Sequence, residues 1–168
     1  LIVYPRNGRQ CALFQKRADG KTTAPGKFDV SVGGHYAAGE TASVAGPREI
    51  REELGLSIPY DRLLPLGKRI FVYCFSPGIT EYEFQDVHLL PLEGRPSGLA
   101  LQEGEVDAVL ELDIRSGIEL LSGGSRSEEG LLMTPDGRET AVSITADDFV
   151  PTVDSYYCRL LARTSSLQ

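Results

Sequence analysis

The spacing of hydrophobic and polar positions changes period several times along the chain, and each change marks an element. Residues 1–5 and 9–17 are strand-like runs on either side of Asn7-Gly8, the strongest short hairpin signal present. From Asp19 to Lys27 the glycines and proline at Gly20, Pro25 and Gly26 sit among polar residues and predict a loop. Lys27 to Val32 alternates with Phe28, Val30 and Val32 on one face, and Gly33-Gly34 ends that strand before a loop to Gly39. A helix follows from about Thr41 to Leu54, with Gly55 where a left-handed cap is wanted. Pro47 falls inside it and predicts a late start or a kink near Gly46.

Three further strand-like runs lie at Lys68–Ser76, Glu81–Leu92 and Glu105–Leu112. In the second, Glu81, Glu83 and Gln85 alternate, as on the wet face of a strand. Asp113 is placed to cap a short helix through Leu121. Leu131–Thr134 and Thr140–Thr145 flank the turn signal Pro135-Asp136-Gly137, and residues 152–163 carry Tyr156, Leu160 and Leu161 at helical spacing.

Composition narrows the classes. At 168 residues, with 41% hydrophobic and 24% charged, the chain has the size and balance of one globular α/β unit, 1–168, without repeats or a linker. No apolar run approaches the roughly 20 residues of a membrane span. A net charge of −7 argues against nucleic-acid polymers as partners. Cys11, Cys74 and Cys158 are too widely spaced for a C-x-x-C site and predict reduced thiols and a cytoplasmic location. The chain opens directly on a strand, which leaves room for a preceding segment.

Candidate chemistry concentrates between Gly34 and Leu56. On a helix, Glu49, Glu52 and Glu53 are related by i, i+3 and i+4, so their carboxylates gather on one face within a turn. Three like charges repel, and hard divalent cations with oxygen ligands resolve the repulsion while bridging to phosphates. Arg48 is placed to orient one of those carboxylates by a bidentate bond. Glu40, at the helix start, meets the positive end of the helix dipole.

The same segment resembles the Nudix box, G-x5-E-x7-R-E-U-x-E-E-x-G-U with U apolar. Gly34, Glu40, Arg48, Glu49, Ile50, Glu52, Glu53, Gly55 and Leu56 meet every defined position. Seven fixed identities at ordinary usage give a chance match on the order of one in a billion per starting position. The resemblance implies the Nudix α/β/α sandwich with a mixed central sheet, and a Mg²⁺- or Mn²⁺-dependent hydrolase that splits a diphosphate linkage in a nucleoside-diphosphate-like small molecule. It implies metal ligation by Glu49, Glu52, Glu53 and the Gly33 carbonyl, with Arg48 in support.

A narrower resemblance surrounds the box. Gln15-Lys16-Arg17, Pro25-Gly26-Lys27-Phe28-Asp29 and Ser31-Val32-Gly33-Gly34-His35 look like the branch that includes isopentenyl-diphosphate isomerase. That comparison makes Arg17 and Lys21 candidate phosphate clamps, and marks Glu83, ahead of Glu81, as a supplementary ligand or base. Glu103, Glu105 and Asp107 compete for that last role. The isomerase itself is disfavoured, because its catalytic cysteine aligns with Gly33 and the chain has only two histidines. A non-catalytic binding or sensing module is the other alternative. A small phosphorylated substrate is the expected partner, a homodimer is an open alternative, and residues 113–168 are candidates for substrate choice or for a dimer contact.

Overall fold

The computed structural model describes residues 1–165. Strands β1 (Ile2–Arg6) and β2 (Arg9–Arg17) form the expected hairpin, with Asn7 and Gly8 both at positive φ, 50° and 74°. Two positive φ values in succession give the turn whose twist matches that of the strands. β3 (Phe28–Val30) pairs antiparallel with β2. After helix α1 (Ala42–Leu54) come the long strands β4 (Leu64–Ser76) and β5 (Ile79–Pro91), then β6 (Val106–Asp113) and helix α2 (Ile114–Leu121). A hairpin of β7 (Glu128–Met133) and β8 (Glu139–Ile144) and a last helix, α3 (Tyr156–Ser165), complete the order. The sheet runs β4-β5-β1-β2-β6-β7-β8, and its β1–β5 pairing is parallel, so the sheet is mixed.

Alternation along β2 explains the layers. Ala12 and Phe14 point into a cluster with Leu110, Leu112, Leu120, Phe149, Tyr157 and Leu161, which seats α2 and α3. Cys11 and Leu13 point the other way, onto Ile50 and Leu54 of α1. Helices therefore cover both faces of the central strands, as the α/β/α expectation requires. Asp113 caps α2, its Oδ1 accepting from Arg115 N (2.9 Å) and Ser116 N (3.1 Å).

Four local expectations are corrected. Helix α1 starts at Ala42, not late, and continues through Pro47; the carbonyl that the proline leaves without a donor belongs to exposed Ser43 and can be hydrated. β3 ends at Val30, because buried Ser31 turns its hydroxyl to Leu13 O and accepts from Ile2 N (2.7 Å). Val32 consequently packs with the α1-side cluster, away from Phe28. Helix α3 begins at Tyr156, after Ser155 adopts a φ of 51°. Finally, Glu81, Glu83 and Gln85 are half-buried, and the exposed side of β5 is the apolar one, with Tyr82 and Phe84.

Candidate active site

Helix α1 and the loop before it bring the box residues together. Gly55 closes the helix at a φ of 73°, its N–H on Arg51 O (3.0 Å), and a side chain there would meet Ala100. The loop bearing Ala100 crosses the helix end through Ala100 N to Leu54 O (3.0 Å) and Gln102 N to Glu53 O (3.1 Å). At the other side of the site, a Cβ on Gly34 would coincide with the Glu49 carboxylate. A side chain at position 34 would displace the Glu49 carboxylate from this position.

Arg48 is the hub of the exposed half of the cluster. Its Nε and Nη2 donate to the two Glu40 oxygens (2.9 and 2.8 Å), Nη1 reaches Glu49 (2.9 Å) and Glu52 (2.8 Å), and Nη2 also donates to His35 O (3.0 Å). The guanidinium and the Ala37 N–H hold the Glu40 carboxyl down at about 2. These acids in turn raise the Arg48 pKa still further. The sequence expectation of three carboxylates gathered on one point is thus modified. Arg48 draws Glu49 and Glu52 toward itself, and among the described residues no three acidic, histidine or cysteine side chains stand together in metal-ligand geometry.

Glu53 lies apart from that network. It is 5% exposed, and its Oε2 accepts only long bonds from Gln15 Nε2 (3.3 Å) and Gly33 N (3.2 Å). No cationic side chain among the described residues pairs with it. Burial pushes its carboxyl up to about 8 against the opposing Gly33 N–H, and the charges of Glu49, Glu105 and Asp29 act in the same sense as burial. Glu53 is a buried acid without an internal counter-ion, an oxygen ligand of the kind that hard divalent cations take, but among the described residues it does not stand in ligand geometry with two further acids.

The remaining candidates are placed as follows. Glu83, on β5, is held between His35 Nε2 (3.0 Å) and the Gln85 amide (2.7 Å), so it borders the box loop. Among the described residues Glu81 shows no such tie, and Glu105 acts on Glu53 through its charge while pairing with Lys21. Arg17 is committed to its own loop, donating to Thr23 O (3.0 and 3.2 Å) and facing Asp29 (3.5 Å). Sequence reasoning assigned no role to Gln15, Asp29 or Tyr157. Gln15, 4% exposed, supports Glu53, while Asp29 accepts from Tyr157 OH (2.8 Å) across 128 residues of chain. The available signal was Gln15 directly after the apolar run 11–14, and Asp29 between Phe28 and Val30. A cleft of about 480 Å³ lined by Lys27, Asp147, Thr152, Ser155 and Cys158 lies elsewhere, and no box residue lines it.

Comparison with known proteins gives the family. The NUDIX domain family model matches residues 1–115. An uncharacterised Nudix hydrolase of Clostridium acetobutylicum is 31% identical over 160 residues, covering 92% of this chain and 77% of that protein. An isopentenyl-diphosphate Delta-isomerase of Serratia proteamaculans is 28% identical over 99 residues, 58% of this chain and 52% of the isomerase. Among solved structures, a Caenorhabditis elegans Ap4A hydrolase binary complex superposes with a TM-score of 0.55 at 16% identity, over 99% of this chain and 92% of that one, which speaks for the fold. The full box, the family match and the named hydrolase relative converge: the chain belongs to the Nudix hydrolase family, as a pyrophosphohydrolase.

Proposed function

We propose that the chain hydrolyses a diphosphate linkage in a small nucleoside-diphosphate-X-like molecule, with Mg²⁺ or Mn²⁺ held by Glu49, Glu52, Glu53 and the Gly33 carbonyl. The observation that carries this reading is Glu53, a buried carboxylate that folding leaves without a cationic partner beside the acids of the same helix turn. Such an ion, when bound, supplies Lewis-acid stabilisation of phosphate charge and a more acidic water.

The chain's own residues do the rest. Arg48 fixes Glu40, Glu49 and Glu52 in one charged array, and Gly34 gives Glu49 the room to lie across the loop. Gln15 and Gly33 N–H orient the Glu53 carboxyl. Glu83, held at both oxygens by His35 and Gln85, is the acceptor for the proton of the attacking water. Lys21 is the better phosphate contact of the two cations, since its partner Glu105 is 41% exposed and a surface pair is readily exchanged for a phosphate. Arg17, through Thr23 and Asp29, holds the loop that carries Lys21.

The test is phosphate release from nucleoside diphosphates, nucleotide sugars, coenzyme A and dinucleoside polyphosphates, the last being the class to which the Ap4A of the nematode hydrolase belongs. Turnover of at least one class that requires Mg²⁺ or Mn²⁺ and stops with chelator is expected. Ion-independent turnover, or silence across the panel, would overturn the proposal.

A further inference from the structure

The β4–β5 ribbon has two unlike faces, and only one is used by the fold. Its register pairs Lys68 with Asp86, Ile70 with Phe84, Val72 with Tyr82 and Cys74 with Thr80 on one face; Arg69 with Gln85, Phe71 with Glu83 and Tyr73 with Glu81 occupy the other. The second face is closed. Phe71 is buried, Arg69 stacks 3.7 Å from the Tyr156 ring centroid and is held by Asp154, and Glu83 reaches His35. On the first face Ile70, Val72, Tyr82 and Phe84 are 59%, 42%, 63% and 73% exposed, and the two aromatic rings pack edge to face at 5.7 Å. A strand alternating apolar-out on both partners is the reverse of what a solvated edge ribbon requires.

We infer that this face is the contact surface of a homodimer, in which the ribbons of two copies meet face to face about a two-fold axis. Counting aromatic side chains at 150–250 Å² each, the four residues expose on the order of 500 Å² of apolar surface. Two copies together then withdraw about 1,000 Å², the level at which specific interfaces begin. A second copy suits the patch better than a charged partner, because the patch carries no unpaired charge. The Lys68–Asp86 pair (2.6 Å) at its border offers both signs, so a two-fold arrangement sets each lysine against the other copy's aspartate. Tyr36, 46% exposed and bonded through its hydroxyl to Asp86 (2.8 Å), extends the patch to the box loop.

Sedimentation velocity of the full chain over a micromolar concentration range tests the inference, with Phe84→Asp and Ile70→Asp as variants. Both side chains are exposed in the monomer, so both variants retain the fold by circular dichroism. The native chain is expected to dimerise, and each variant to raise the dissociation constant at least about 100-fold. Hydrogen exchange should slow at residues 68–74 and 80–86 as native protein is concentrated, and not in Phe84→Asp. A native chain that stays monomeric up to about 100 µM, or a dimer that survives both variants, overturns the assignment.

Discussion

Two glutamates are buried among the described residues, and the protein treats them in opposite ways. Glu111 on β6 is 7% exposed; its carboxylate accepts from Tyr4 OH (2.7 Å) and pairs with Arg6 and, at 3.6 Å, with Arg95. Glu53 on α1 is 5% exposed and has an amide and one backbone N–H at long range. Taking a charge out of water costs several kcal/mol unless partners replace the water. At Glu111 the sequence supplies those partners, and the acid ties β1, β6 and the Arg95 loop together. At Glu53 no such partners are supplied, and burial instead keeps the carboxyl protonated up to about 8.

The sharpest way to break this contrast is Glu53→Gln, which keeps the shape and removes the charge. Turnover is expected to fall at least 10²–10³-fold, the range seen when one group that stabilises developing charge is removed, with thermal stability equal or higher. Full activity in the variant would place Glu53 among structural acids.

Next in size is the pH dependence of the metal-free protein. The folded Glu53 carboxyl titrates near 8, above its ordinary 4.5, so between those values the folded state holds a proton that the unfolded state has released. Stability should therefore decline as pH rises through that window, by a few kcal/mol at about 1.4 kcal/mol per unit. In chelator-treated protein, urea midpoints at pH 5 and pH 8 should show it, and Glu53→Gln should flatten it. A slope shared by wild type and variant would assign the effect to other groups.

The converse variant, Glu111→Ala, should cost about 2–3 kcal/mol in urea denaturation, because Tyr4 loses its acceptor and the partly exposed arginines lose only part of their stabilisation. Specific activity per folded molecule should stay within about twofold. A large loss of turnover there would dissolve the distinction between the two acids.

How much of this was legible in the sequence follows from the range of each interaction. The box was readable because Gly34, Glu40, Arg48, Glu49, Glu52 and Glu53 act within one loop and one helix, where spacing fixes geometry. The Asn7-Gly8 turn, the Gly55 cap and the Asp113 cap were readable for the same reason. Gln15 beside Glu53 and Tyr157 beside Asp29 were not, since those contacts span 38 and 128 residues. The two sides of β5 were misassigned because alternation reveals that a strand has unlike faces, not which of them the rest of the chain covers.

The attachment of the β4–β5 ribbon has a mechanical consequence. β5 joins the sheet through Leu90 and Pro91, opposite Ile2 and Val3. Glu83 stands seven residues along the strand, roughly 23 Å away at 3.3 Å per residue. The ribbon is in effect a cantilever rooted at β1, and a tilt of a few degrees at its root displaces the Glu83 carboxylate by more than an ångström. Besides the packing of Leu66, Phe71 and Phe75 and the stacking of Arg69 on Tyr156, three polar stays hold the beam in line: His35 on Glu83, Tyr36 on Asp86, and Asp154 on Arg69. Slackening the Asp154 stay, far along the chain from the box, would shift the acid that His35 of the box loop meets.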